Sequence, residues 1–366
     1  YTAKQYKLQK GPHLIVFNHP TAFDPFMVSI SFRRPIYFMA TDDIFSLKFA
    51  SWWIKYLVAP ISKSKSFQDM NAVKNMLRVA NEGGTIALSP EGNRTYTGQL
   101  CHINPAIVKL IKHLKIPLVF YNIEGGYGVS PRFSPFVRKG KMIGRVLEVL
   151  SPEQIQEIST EELYSLLQKH LTADDVLLHR EFHHKRRAEH MERILHICPI
   201  CNSKQTIYTY KEYVHCYHCK LEVEYTPNLT LVSKNPAFPF QTVADWLKYE
   251  EEYIRSIQDF KGIFYQDDAI LLKKVIKNKK KELLLEGSVT IDFQQIVLYN
   301  TSQEFKFLLE EIDSMAVLGQ NKINFYVGDS IYQIKAHPKF NAIKYMHLYY
   351  HVKHIRKGVK DEFLGI

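Results

Sequence analysis

"HLIVFNHPTAFDPFMVSISF", residues 13 to 32, decides how the first part of the chain is read. It opens with an apolar run of the kind that forms a strand buried on both faces. It closes, from Pro25, with apolar residues at helical spacing. Between the two, His19 and Asp24 stand five residues apart. A carboxylate placed so can hold an imidazole in one tautomer and sharpen its other nitrogen as a base. The same residues admit an architectural reading, in which His19 ends the strand and Asp24 caps the helix that Pro25 starts. The rest of the chain has to separate the two.

Downstream, strands and helices keep alternating. "PIYFMA" (35 to 40), "TIALSP" (85 to 90) and "PLVFYNI" (117 to 123) read as strands. "NAVKNMLRVANEGG" (71 to 84), ending at a glycine pair, and "NPAIVKLIKHLK" (104 to 115) read as amphipathic helices. That alternation predicts an α/β layer with a mostly parallel sheet.

Charge is distributed unevenly. Residues 1 to 150 hold 20 Lys and Arg against 8 Asp and Glu, a balance of +12, whereas the remaining residues hold 28 against 29. All of the net +11 therefore lies with the His19 region. A basic domain attracts phosphate-rich partners such as anionic lipid, nucleic acid or a nucleotide-bearing cofactor. Within it, residues 44 to 61, "IFSLKFASWWIKYLVAPI", mix five large aromatics with two lysines, a composition that suits either a membrane-interface helix or a buried core helix. No run of about 18 apolar residues marks a transmembrane helix. The chain starts at Tyr1 and not at methionine, which leaves room for a preceding anchor or signal segment.

Four of the five cysteines form two C-x-x-C pairs, "CPIC" and "CYHC", 14 residues apart. This spacing predicts tetrahedral zinc ligation by Cys198, Cys201, Cys216 and Cys219 in a reducing compartment such as the cytosol. Four thiolates leave no open coordination position, so the zinc is expected to be structural. Lys204 and Lys211 are the only basic residues between the first and last of these cysteines, so nucleic acid is not the expected partner.

The chain's 366 residues, 46% of them hydrophobic, allow several domains. The expected order is an α/β domain over 1–150, a charged helical linker over 151–193, a zinc ribbon over 194–226, a connector over 227–262, and a small antiparallel β domain with a C-terminal helix over 263–366. The histidines at 179, 183, 184 and 190 read as the solvated face of the helical stretch. The order of elements in the last domain is similar to pleckstrin-homology-like or GRAM-like modules.

"LSPEGNRTYTGQL", residues 88 to 100, follows a predicted strand and gathers backbone amides, a glycine turn and an arginine in a way that suits a phosphate. Alone, Pro-Glu-Gly is an ordinary turn. Together with N-H-x-x-x-x-D it resembles the glycerophospholipid acyltransferase family, which includes the lysophosphatidate acyltransferases. The first family block matches Asn18, His19 and Asp24. The third, usually F-P-E-G-T-R-S, matches Pro90, Glu91, Gly92 and Arg94, and the fourth, a strand opened by proline, looks like "IPLVFYNIEG" with Pro117. The second block normally ends in arginine, but "APISKSK" offers Lys63 or Lys65, which keeps the charge and loses the planar fork. The resemblance covers residues 8 to 150, and the domains after it look like extended bacterial members.

The resemblance implies an enzyme that moves a fatty acyl group from acyl-coenzyme A or acyl-carrier protein to a lysophospholipid hydroxyl, with 1-acylglycerol 3-phosphate the leading acceptor. His19 would be the general base and Asp24 its orienting acid. Arg94 and Lys63 would hold the acceptor phosphate, Glu91 an acceptor hydroxyl or the Gly92 turn, and Gly92 the close approach of backbone to ligand. Such an enzyme would lie, peripheral or monotopic, on the cytoplasmic face of an anionic membrane. The competing reading is an inactive membrane-associated adaptor on the same fold. The intact His19, Asp24, Glu91, Gly92 and Arg94 argue for the enzyme, and the lysine in the second block argues for the adaptor.

Overall fold

A computed structural model describes residues 2–41, 61–63, 70–276 and 281–357. The aromatic segment 44 to 61 lies outside these residues apart from Ile61. Among the described residues the chain forms two compact units, the first from residues up to 131 and 139–182, the second from 132–138 and 183–357. Each is described by itself.

Unit 1 is built on a seven-stranded sheet. Its strands are β1 (Thr2–Ala3), β2 (Leu14–Phe17), β3 (Ile36–Thr41), β4 (Ile61–Lys63), β5 (Thr85–Leu88), β6 (Leu118–Glu124) and β7 (Ile143–Leu150), in the order β1-β7-β6-β2-β5-β3-β4. β6, β2, β5, β3 and β4 run parallel, as the alternating pattern requires, while β7 returns antiparallel to β6. Every residue of β2 and β5 is buried, which explains their unbroken apolar sequences: parallel strands are covered on both faces. Strand β7 was not among the expected elements. It lies towards the sheet edge and is only half buried, so no apolar run announces it.

Helices α1 (Asp24–Ser31), α2 (Met70–Asn81), α3 (Ala106–Leu114) and the short α4 (Gly126–Val129) connect the strands. One face of the sheet, through Leu14, Val16, Ile86, Leu88, Leu118 and Phe120, packs against Met76 and Val79 of α2 and Val108 and Ile111 of α3. Helices α5 (Pro152–Glu157) and α6 (Thr160–Leu171) join the same core through Ile155, Leu163, Leu167 and Leu171. They open on serine caps, Ser151 with Gln154 in a capping box and Ser159 on the Glu162 N–H. The expected linker thus begins as part of the first unit's core. Helix α1 is tied down by Tyr121 of β6, whose hydroxyl donates to Met27 O and bonds Ser31 Oγ.

The helical expectation for 172–195 gives way to irregular backbone with one 3-10 turn, Met191–Arg193. His179 and His190 take positive φ, and Arg193, 4% exposed, donates to Phe133 O and Pro338 O. These long-range bonds override a helix whose charged side chains would have to be solvated. His190 is 9% exposed and His184 stacks on Phe136 at 4.8 Å, so the histidines do not form one solvated face.

Unit 2 contains a four-stranded antiparallel sheet, β8 (Ile207–Tyr210), β9 (Tyr213–Cys216), β10 (Glu222–Tyr225) and β11 (Leu231–Val232). The expected connector holds a helix, α7 (Val243–Ser256), with a Thr242/Asp245 capping box. Buried Trp246 donates to Ile197 O, and Glu250 accepts the backbone N–H of His196 and Ile197. The last part is a seven-stranded antiparallel sheet, β12 (Tyr265–Val275), β13 (Lys281–Ile291), β14 (Gln295–Tyr299), β15 (Glu304–Leu308), β16 (Ser314–Leu318), β17 (Lys322–Val327) and β18 (Ser330–Lys335), followed by α8 (Ile343–Lys357). Its order is β15-β14-β13-β12-β18-β17-β16. Among the described residues no helix is long and apolar enough to cross a membrane.

If α6 is a core element and not a linker, Leu167→Ala removes fully buried methyls and destabilises unit 1 by about 2–5 kcal/mol, read by urea unfolding. A change within about 0.5 kcal/mol, as at a solvated helix, would contradict the packing.

Candidate active site

The parallel strands place their carboxyl ends on one side of the sheet, where ligands bind in open α/β folds. His19 follows β2, the Pro90–Glu91–Gly92–Arg94 turn follows β5, and residues 125 to 130 follow β6. Lys63 is the last residue of the edge strand β4, paired with Thr41, which puts its backbone at the same end of the sheet. Pro117 does not. It precedes β6 at the opposite edge, where its carbonyl accepts the Leu14 N–H, so its place is in the strand start and not with His19.

His19 Nδ1 lies 2.7 Å from Asp24 Oδ2. Asp24 has no exposed side-chain surface, whereas the imidazole is 26% exposed. Burial pushes the Asp24 carboxyl above its usual range, and the His19 bond and the Thr21 N–H pull it back. Asp24 is also the first residue of α1, where the helix dipole favours its anion. With Asp24 ionised, Nδ1 carries the proton and Nε2 is left as the base. The capping bond expected of Asp24 is not formed, since Phe23 holds the N-cap position without a side-chain bond; the carboxylate serves the helix start through the dipole alone and the imidazole through Nδ1.

Four bonds fix the backbone that carries the imidazole. Glu91 Oε1 accepts the His19 N–H at 2.6 Å, and Thr95 donates its N–H to His19 O at 3.2 Å. One residue earlier, the Asn18 amide donates to Ile123 O and accepts the Ile123 N–H, extending β6 by a side chain. Glu91 Oε2 accepts the Cys101 N–H at 2.8 Å, and the side chain is 3% exposed. The expectation that Glu91 holds an acceptor hydroxyl thus yields to a positioning role, in which it clamps the loop after β2 to the loop after β5. Burial pushes its carboxyl up to about 6. Gly92, exposed at φ +70°, supplies the left-handed turn that lets Glu91 point inward while Arg94 returns to the sheet end. Arg94 donates to Ser130 O at 2.9 Å.

Sequence reasoning missed Asp175. Its two oxygens accept the Gly125 and Gly128 N–H at 2.7 and 2.9 Å, fastening the loop that follows β6, and burial pushes its carboxyl up to about 6. That loop backs onto the site, since a Cβ on Gly126 would stand 2.6 Å from Pro20 Cγ, beside His19. Asp175 lies far along the chain in "TADD", a stretch without periodicity, and no local signal marks it.

In unit 2 the four predicted cysteines converge, their sulfurs all within 4.8 Å of one another. Cys198 and Cys219 sulfurs are 3.5 Å apart, Cys201 and Cys216 sulfurs 3.8 Å. A tetrahedron of thiolates about 2.3 Å from a central ion has edges of about 3.8 Å, so the set fits a metal. Both knuckles have one geometry: Asn202 and Lys220, each at positive φ, donate their N–H to Cys198 O and Cys216 O. Among the described residues no other cluster of at least three His, Cys, Asp or Glu side chains has metal-holding geometry.

Residues 1–123 match the acyltransferase family model. The chain is 26% identical over 155 residues to the 1-acyl-sn-glycerol-3-phosphate acyltransferase of Saccharomyces cerevisiae, a match covering 40% of this chain and 50% of that enzyme. It therefore spans about half the length of that curated relative. Among solved structures, it is similar to the 1-acyl-sn-glycerophosphate acyltransferase PlsC from Thermotoga maritima, with a TM-score of 0.38 and 16% identity over 46% of this chain and 71% of that one. It is also similar to the N-terminal PH domain of human ARAP2, with a TM-score of 0.20 and 14% identity over 26% of this chain and 85% of that one.

Glu91 and Asp175 fix a pH dependence. Each has a carboxyl raised by folding, so each favours the native state when protonated and loses that contribution as pH rises through about 6. Between about pH 4.5 and pH 6.5 the Glu91→Gln variant loses less stability per pH unit than the unaltered chain, by up to one proton's worth, measured as urea midpoints. Its amide also turns a donor towards a backbone N–H, costing about 1–3 kcal/mol at every pH. An unaltered pH slope would contradict the buried clamp.

Proposed function

We propose that this chain, whose first 123 residues are an acyltransferase-family segment, transfers a fatty acyl group from a thioester to the free hydroxyl of a lysophospholipid. The favoured acceptor is 1-acylglycerol 3-phosphate, giving phosphatidate, and the donor is acyl-coenzyme A or acyl-carrier protein. One observation carries the reading: a 2.7 Å His19–Asp24 pair, with the acid buried and the imidazole open, at the carboxyl end of a parallel sheet. The family match and the similarity to the yeast enzyme support it.

An alcohol is a poor nucleophile near neutral pH, so a base must take its proton as its oxygen attacks the thioester carbonyl. His19 Nε2 takes that proton, and Asp24 stabilises the imidazolium through Nδ1. When the tetrahedral intermediate collapses, the carbon–sulfur bond breaks and the imidazolium returns the proton to the leaving sulfur. No acyl-enzyme forms, so no serine or cysteine nucleophile is needed. Arg94 and Lys63 supply the cations for the acceptor phosphate, Lys63 as a point charge without a bidentate fork. Glu91 acts through His19 by holding its backbone.

The second unit's cysteines are proposed to hold one structural zinc, which would cross-link two knuckles too short to fold on packing alone. The enzyme is proposed to work as a peripheral protein on the cytoplasmic face of a membrane, where its acceptor resides.

His19→Ala is expected to lower acyl transfer to lysophosphatidate by about a hundred- to ten-thousand-fold with circular dichroism unchanged; near-native transfer would contradict the mechanism. Metal analysis of the purified chain is expected to give one zinc per molecule, lost in Cys198→Ser together with thermal stability of unit 2. A fully stable, metal-free chain would contradict the zinc assignment.

A further inference from the structure

The helix that carries Asp24 has an outer face unlike those of its neighbours. Asp24, Met27, Val28 and Ser31 are the buried positions of α1. On the opposite side Phe26 is 62% exposed and Ile30 54%, with Phe23 at 36%, and the remaining exposed positions are Ala22 and Ser29. No charge interrupts this face. In the same unit α2 exposes Lys74 and Arg78, and α6 exposes Glu161, Glu162 and Lys169, as solvated amphipathic helices do.

Cations lie on the segments that adjoin the end of this helix. The N-terminal stretch runs beside the end of α1, where Tyr6 donates its N–H to Ser31 O and its ring packs edge-on to Phe32. That stretch exposes Lys4, Lys7 and Lys10, and Arg33 and Arg34 follow the helix directly. Across residues 2–41 the one acidic side chain is Asp24, which is wholly buried. An uncharged helix face carrying phenylalanine and isoleucine, with lysines, arginines and no exposed acid on the described residues 2–41, has the composition of an element that lies in an anionic lipid interface.

We propose that the outer face of α1 docks on an anionic bilayer, with Phe26 and Ile30 inserted among the acyl chains and the flanking cations on the lipid phosphates. The apolar patch is too small for a protein partner, since two or three side chains fall far below the roughly 800 Å² per partner that a stable interface buries. A bilayer requires no such area, because a few inserted side chains and several phosphate contacts act together. This inference rests on the acyl-transfer reading only in explaining its use: α1 begins five residues after His19, so docking would bring the imidazole to the surface where lysolipids lie.

The test uses the full chain and sedimentation with vesicles of phosphatidylcholine, alone or mixed with phosphatidylglycerol. The Phe26→Gln/Ile30→Gln double variant is expected to bind the mixed vesicles at least about tenfold more weakly than the unaltered chain. It should retain transfer to a short-chain, water-soluble lysolipid. Unaltered vesicle binding, or equal loss of transfer to the soluble acceptor, would overturn the proposal, as would a light-scattering dimer that the double variant abolishes. Phe26→Trp, which keeps the face apolar, gives an independent reading: its fluorescence is expected to be quenched by vesicles with brominated acyl chains beyond the quenching of the unaltered chain, and no added quenching overturns docking. Vesicle binding needs no turnover, so a chain that docks in this way yet transfers nothing overturns the acyl-transfer reading and leaves the docking in place.

Discussion

A carboxylate with no solvent contact is expensive unless hydrogen-bond donors meet it, and in unit 1 the first of these is the Nδ1–H of His19. Asp24 gains a second stabiliser from its place at the first residue of α1 and a third from the Thr21 N–H. The loop between β2 and α1 therefore has little freedom. Its shape is set by the His19–Asp24 hydrogen bond at one end, by Glu91 and Thr95 on the His19 backbone, and by the Asn18 amide on β6. Remove the pair, and the acid must protonate or drag the helix start into water.

The same economy explains why keeping shape alone is insufficient at Glu91. Its two oxygens each meet a backbone N–H from a different loop, a role that a carboxylate fills and an amide does not. Glu91 links the first and third sequence blocks physically as well as by pattern. Asp175 repeats the device on the loop after β6, from a segment that lies past the family match. Two buried carboxylates acting on backbone, and one acting on an imidazole, together hold the rim of the sheet.

Much of this was legible in the sequence, for identifiable reasons. Strands covered on both faces write themselves as apolar runs, so "LIVF" and "TIAL" were plain, and the dyad follows one of them directly. The two C-x-x-C pairs were plain because that spacing turns two thiols to one side of a tight knuckle. What escaped lacked local signal. Strand β7 is half exposed and sits after an irregular stretch, and α7 was hidden among prolines and asparagines that suggest a connector. The basic run after Leu171 looked helical because its composition is helical, yet Arg193 and His190 are buried, Arg193 donating to distant backbone and the His190 N–H to the Thr209 hydroxyl. Glu91 was found by pattern, but its target, a backbone N–H 72 residues away in sequence, is a tertiary fact. Pro117 belongs to the same lesson from the other side: a motif residue marks a strand without standing at the site.

All of the chemistry proposed for this chain needs His19 to keep its proton on the nitrogen that faces Asp24. Nitrogen NMR of the histidine side chains, assigned by comparison with His19→Ala, reads that directly. The account predicts that neutral His19 is protonated at Nδ1 with Nε2 bare, and that Asp24→Asn moves the proton to Nε2. A proton on Nε2 in the unaltered chain, or a tautomer indifferent to Asp24→Asn, would contradict it.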